Sequence, residues 1–275
     1  MDKAELLSRP EFSDAHFHSL SPRYDEAGIE FERIYASLFR GIDCSASLAD
    51  IHEIAPRISR HSNIFTTVGA GPWQASEAAS NGFLDEIEST ANAFLQNKQM
   101  IAIGETGLDY HYDYDRTLQK SLFARQVEIS IAVRLPLILH IRDSFKDAFD
   151  ILAAYGLDRQ GIVHCFSGDK DEARMALDKG FYLSFGGSAT YKGNGHIREA
   201  LAFCPSDRIL LETDSPWLSP EGKRRSVNTP MNVYDIGNYL SEWRNDGRDG
   251  SIFKESNRNI VSFLSQREDV CSQAK

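Results

Sequence analysis

Eight short apolar runs recur along the chain, each followed by a longer stretch of mixed polarity, and this alternation constrains the fold more than any other feature. The runs read as strands over 12–18 (FSDAHFH), 41–46 (GIDCSA), 63–70 (NIFTTVGA), 100–105 (MIAIGE), 136–140 (PLILH), 161–166 (GIVHCF), 180–185 (GFYLSF) and 208–214 (RILLETD). Stretches with helical spacing lie between them, for example 116–134, 144–155, 170–179 and 195–203, and two more near 231–244 and 251–265 close the chain. Strands that alternate with helices build parallel βα units. LPLIL and RILL carry little polar surface and suit strands buried on both faces. An open doubly wound sheet would accept the same pattern. The count of eight favours a TIM-like (β/α)8 barrel, and 275 residues fit such a barrel as a single domain over 1–275.

In a barrel of this kind the working side chains stand at the C-terminal ends of the strands. Five of the expected strands finish with, or close to, a residue type that binds divalent metal: His16 with His18, Glu105, His140, His164 and Asp214. Residues i and i+2 of a strand point to one side, so His16 and His18 converge inward. The same alternation points Asp14 and Glu212 inward but deeper. They read either as carboxylates that orient imidazoles or as buried polar groups tied to backbone.

A lone strand-end histidine is usually structural. Four histidines and two carboxylates gathered at strand ends point to a metal centre. Imidazole nitrogen with carboxylate oxygen suits Zn²⁺, Mn²⁺, Fe²⁺ or Co²⁺, and tolerates Mg²⁺ where a substrate adds phosphate oxygens. Six ligands are too many for one tetrahedral ion but suit two divalent ions roughly 3.5–4 Å apart. Glu105 is the expected bridge, with His16, His18 and Asp214 on the first ion and His140 and His164 on the second. His52, His61 and His196 fall in or beside helices and read as structural. His111 lies in the loop after Glu105, where it could face substrate.

Acidic residues outnumber basic ones, 40 to 30, for a net charge of −10. That excludes a broadly basic nucleic-acid coat, though not a local basic rim. Cys44, Cys165, Cys204 and Cys271 are scattered, which suits a reducing cytoplasmic location. The first residues lack the apolar core of a signal segment, and no apolar run approaches the ~18 residues of a membrane span.

The segments DAHFH, IGETGLDYHYD, LPLILHIRDSF, VHCFSG and LLETDSPWLSP resemble, in order, the signature segments of the TatD family of metal-dependent hydrolases, within the amidohydrolase superfamily. The resemblance runs from about residue 11 to about residue 265 and takes in the late NTP, Asn259 and Phe263. It implies a TIM-like barrel, one or two divalent ions (Mg²⁺, Mn²⁺ or Zn²⁺), and hydrolysis of phosphodiester bonds in DNA, often from the 3′ end. Carried over by position, its ligands are His16, His18, Glu105, His140, His164 and Asp214, the residues that the strand ends select independently. The chain departs from the pattern in VGAGPW, where Gly71 stands in place of a His-Pro histidine, and in a basic segment, GKRRSVNTP, that is longer than usual.

Arg142, two residues beyond His140, is expected to grip a phosphate, the alternative being an ion pair with Asp143. Lys223, Arg224 and Arg225 form the compact basic run, read either as a solvated face or as phosphate contacts. Ser167 and Gly168 could offer backbone N–H groups to the same phosphate. Tyr110, Tyr112 and Tyr114 could stack on unpaired bases or pack their own loop. The Gly-rich 185–195 segment is expected to be a flexible rim loop. These features favour a deoxyribonuclease acting on single-stranded or frayed DNA ends, with Asp214 and Glu105 as catalytic residues and no protein partner inferable. The alternatives are a hydrolase of a small ester, amide or aminoacyl substrate, and a catalytically weak binding protein that kept the barrel.

Overall fold

The computed structural model describes residues 12–78, 83–157, 161–244 and 251–273, with side chains up to residue 266. The expectations for the N-terminal segment and for the Cys271 side chain lie outside the described residues. Eight strands form one sheet in sequence order: β1 (Asp14–Phe17), β2 (Gly41–Asp43), β3 (Ile64–Val68), β4 (Met100–Asp109), β5 (Leu137–Arg142), β6 (Ile162–Val163), β7 (Tyr182–Phe185) and β8 (Ile209–Leu211). Every adjacent pair from β1 to β8 is parallel. The sheet curls until its ends meet. A bridge joins Phe17 to Ser215, the Asp214 N–H donates to the His16 carbonyl at 2.9 Å, and the His18 N–H donates to the Ser215 carbonyl at 2.9 Å. The last contacts that close the barrel therefore lie at the residues that carry its polar side chains.

Most strands alternate between two apolar layers. One cluster fills the space between sheet and helices, with Ile103, Leu108, Phe123, Val127, Leu139 and Phe185 among its members. A second draws on nearly every strand, from Ala15 and Ile42 to Tyr182 and Leu210, and takes in Ile260, Phe263 and Leu264 of the final helix, Ser251–Gln273. That helix continues well past the 265 expected from the sequence.

The largest departure from the sequence reading is in β4. Glu105 is not its last residue: pairing with β5 runs on to Asp109↔Arg142. Between Ile103↔Leu137 and Thr106↔Leu139 the register shifts, so three steps on β4 match two on β5. This one-residue bulge reverses the alternation. Ile103 belongs to the layer under the helices, and so does Thr106, whose Oγ1 accepts from Gln126 of the helix Arg116–Val133 at 2.6 Å. Glu105 is thereby turned to the opposite side, and its N–H reaches back to the Ser45 carbonyl at 3.1 Å. Gly69 makes room: a Cβ there would lie 2.6 Å from the Gly104 backbone.

The Gly-rich segment is ordered rather than flexible. Gly187–Thr190 forms a buried 3₁₀ turn, Thr190 Oγ1 donates to the Gly187 carbonyl, and Asn194 Nδ2 donates to the Ser188 carbonyl at 2.9 Å. Its glycines allow close packing, since a Cβ on Gly187 would meet the Leu218 carbonyl oxygen at 1.8 Å. Among the described residues no helix is long and apolar enough to cross a membrane.

Candidate active site

The strand ends bring all six expected residues together. The Nε2 atoms of His16 and His18 lie 3.0 Å apart. The Nδ1 of His18 faces the Cys44 carbonyl at 2.9 Å, so that nitrogen carries the proton and Nε2 keeps its lone pair. Asp214, in the left-handed region at φ 52°, turns its Oδ1 to within 3.9 Å of His16 Nε2 and 3.6 Å of His18 Nε2. His16 stacks on His164 with ring centroids 3.8 Å apart.

Glu105 joins the two halves. Its Oε1 is 2.9 Å from both His140 Nδ1 and His164 Nε2. Its Oε2 is 3.5 Å from His16 Nε2 and 3.4 Å from His18 Nε2, and that buried oxygen has no hydrogen-bond partner. Behind this set stand three more carboxylates. Asp109 Oδ2 accepts from His140 Nε2 at 3.1 Å, which leaves the lone pair of Nδ1 pointing at the centre. Glu212 Oε1 is 3.6 Å from His164 Nδ1 and accepts from the Cys165 N–H at 2.6 Å. Asp14 touches no imidazole. It accepts from the backbone of His16 and Thr213 and from the Thr213 hydroxyl, and so ties β1 to the segment after β8.

The electrostatics follow from burial opposed by pairing. Burial alone would lower His18, but the carboxylates of Asp214 and Glu105 push it up to about 9. His164 and His140 are likewise raised against burial, the first by Glu105 and Glu212, the second by Asp109 and Glu105. Burial opposes ionisation of Glu105 and Asp214, yet the surrounding imidazoles hold both below the usual carboxylate range. His16 moves down, through burial and the neighbouring His164. The centre therefore calls for positive charge among its nitrogens, which a cation would supply. His16, Glu105 and His164 form one group whose ligand atoms lie within 4.8 Å of one another, and His16, His18 and Asp214 form a second. Nitrogen and carboxylate donors, with the orphaned Oε2 of Glu105 between the groups, fit divalent metal.

The rim is less uniform. Arg142 ends β5, with its guanidinium 5.5 Å from the Tyr112 ring centroid. Asp143, its expected alternative partner, instead pairs with His111 at 3.4 Å. Of the basic run, Lys223 is engaged elsewhere, at 2.9 Å from Asn232 Oδ1 and 2.5 Å from Asp235 Oδ2. Arg224 lies 4.2 Å over the Tyr191 ring, and among the described residues Arg225 has no hydrogen-bond or ion-pair partner for its side chain. The Ser167 carbonyl receives a hydrogen bond from His196 Nε2 at 3.1 Å. Tyr110 packs its loop, donating to Asp147 at 2.6 Å, while Tyr112 and Tyr114 remain exposed. His52 packs on Phe94 and His61 pairs with Glu32, both apart from the centre.

Sequence reasoning missed two residues. Asp109 was hidden by the assumption that β4 ends at Glu105, although an acid four residues on shares a strand face at period two. Trp73 sets its ring edge-on to His140, centroids 5.7 Å apart, and occupies the space a Cβ at Gly71 would need, 2.2 Å from that position. A tryptophan two residues after an unexpected glycine was the available signal.

Comparison with known proteins agrees with this geometry. Residues 13–262 match the family described as TatD related DNase. An uncharacterized metal-dependent hydrolase of Bacillus subtilis is 32% identical over 83% of this chain and 89% of its own length. A protein of Schizosaccharomyces pombe named Deoxyribonuclease Tat-D is 35% identical over 78% of this chain and 66% of its own. In fold, the chain is similar to the crystal structure of a TatD homologue from Escherichia coli, with TM-score 0.83, 24% identity, and coverage of 93% and 98%. A parallel barrel with this cluster at its strand ends, matched along nearly its whole described length, makes the chain a member of the TatD family and a metal-dependent hydrolase.

Proposed function

We propose that the protein is a deoxyribonuclease that removes nucleotides from single-stranded or frayed DNA ends with two divalent ions. The observation that carries this reading is the reach of Glu105, one carboxylate whose two oxygens face two imidazole pairs. In the proposal His16, His18 and Asp214 hold one ion, His140 and His164 the other, and Glu105 bridges. Such ions act as Lewis acids on a phosphate oxygen and lower the pKa of water.

The chain's own residues do the rest. Asp214, held ionised by its imidazole neighbours and partly open at 13% side-chain exposure, accepts a proton from the attacking water. Asp109 fixes the His140 ring. Arg142 offers its guanidinium to the phosphate beside the scissile bond. Negative net charge leaves affinity to a few such cations, so binding weakens as salt rises. The relative named as a deoxyribonuclease supports DNA as the substrate class.

End-labelled single-stranded DNA, duplex DNA with frayed ends and closed circular DNA, each digested with Mg²⁺, Mn²⁺ or Zn²⁺, test the proposal. Release of mononucleotides from ends is expected. Nicking of the circle without mononucleotide release would remove the exonuclease assignment, and no cleavage of any DNA would remove the nuclease assignment.

A further inference from the structure

The mouth of the barrel carries one aromatic side chain that is both fixed and open. Trp73 lies in the 3₁₀ turn Pro72–Gln74 after β3. Its Nε1 donates to the Ala46 carbonyl at 3.1 Å, and its ring rests against the bare Cα of Gly71. Ring atoms CZ2, CE2 and CH2 would stand 2.2, 2.4 and 2.6 Å from any Cβ placed there, so only glycine at 71 permits this ring position. The indole is edge-on to His140, yet 36% of the residue remains exposed. A core-packing role would bury it; here the contacts hold the ring in place and leave surface free at the site.

The neighbouring loops add matching chemistry. Tyr112, after β4, is 53% exposed, and the Arg142 guanidinium at the end of β5 lies over its ring. An indole, a phenol and a guanidinium thus arrive from three consecutive strands beside His140. A fixed flat ring next to a cation fits a nucleotide, with base on the ring and phosphate on the guanidinium. A pre-positioned ring also spares the entropy of ordering it on binding.

We infer that Trp73, seated by Gly71, is the platform on which the unpaired terminal base stacks, and that it makes the site discriminate in favour of ends that carry a base. The inference rests on the nuclease reading for its substrate, but not for its binding test. Trp73 is a specificity residue rather than a catalytic one.

Two measurements decide it. In the first, the Mg²⁺-loaded protein is given a single-stranded oligonucleotide ending in dA, and the same strand ending in a stable abasic nucleotide. The wild type is expected to favour the dA end by about tenfold in kcat/KM, the order that one base–aromatic stack contributes. In Trp73→Ala and in Gly71→Ala, which leaves the tryptophan in the chain but displaces its ring, the ratio should collapse toward one. Trp73→Phe should restore part of it. In the second, dAMP is titrated against intrinsic fluorescence. A saturable quench is expected in the wild type and should vanish in Trp73→Phe, which retains Trp217 and Trp243. A ratio that survives ring removal, or a wild type that never discriminates between the two ends it cuts, overturns the inference. So does a wild-type emission indifferent to dAMP. If neither strand is cut, the nuclease reading fails, and the quench alone decides whether Trp73 binds a base.

Discussion

The floor and the rim of the barrel mouth are built on different terms. On the floor, each polar group is placed by main chain at or just beyond a strand end, is largely buried, and is within about 4 Å of two or more of the others. On the rim, the cations hang on loops and their partners come from outside the site: Asp235 takes Lys223, and Tyr191 takes Arg224. A residue on the floor is answerable to several neighbours, whereas a residue on the rim is answerable to one or none. Substitutions should therefore cost far more on the floor, and the expected effects fall in that order.

The sharpest break should come from Glu105→Ala. It removes the group common to both imidazole pairs, and elemental analysis of the purified variant should show metal content falling severely, with activity lost alongside it. Unchanged occupancy would show that the two halves do not depend on this carboxylate. Asp214→Asn should retain much of the metal while single-turnover hydrolysis falls by at least ~10²-fold, the loss expected of a positioned base. A fully loaded variant that cleaves at the wild-type rate would assign the proton elsewhere. Asp109→Asn leaves every candidate ligand in place but loosens the His140 ring, and metal affinity measured by competition with a chelator should weaken by ~10–100-fold.

Acidity tests the floor as a unit. In the metal-free protein His18 is held at about 9 against an ordinary 6.5, so its protonation favours the folded state. That contribution is fully present below 6.5 and is lost as pH rises through about 9. The metal-free protein should therefore melt at lower temperature at pH 9 than at pH 6.5, while apparent metal affinity rises over the same range because protons no longer compete. Affinity that is flat across this window would mean that the His18 nitrogen is not a ligand.

The smallest effects belong to the rim, and here the comparison becomes finer. Arg225→Ala should reduce the slope of log affinity for single-stranded DNA against log salt by about 0.7, one phosphate contact's worth. Lys223→Ala should leave that slope alone, because its ammonium is already committed to Asp235. Equal changes in the two variants would show that DNA recruits the whole run.

The floor was legible because its placement needs only two rules, alternation along strands and active residues at strand ends. His16, His18, His140, His164, Glu105 and Asp214 all followed from them. The rim was not legible to the same degree. Nothing local in GKRRS says that Lys223 is drawn away by residues nine and twelve positions on. The compactness of the 185–195 segment was hidden because its glycines serve contact with the Leu218 carbonyl, not freedom of the chain. Asp109 was overlooked for a related reason: Gly104 and Gly107 looked like the end of a strand, when they belong to a bulged strand that continues.

That bulge also has a meaning for how the family can vary. The inward aim of Glu105 is decided by how many residues lie between Ile103 and Thr106, not by the glutamate itself. Excision of a single residue there would preserve every ligand in the alphabet of the protein and still turn one carboxylate out of the barrel, toward Gln126 and the helix layer. Loops elsewhere around the mouth can lengthen or shorten while leaving the floor intact. At this point in β4 the inheritance of the site is a matter of spelling length rather than of letters, and descendants that keep the metal centre are bound to keep the count.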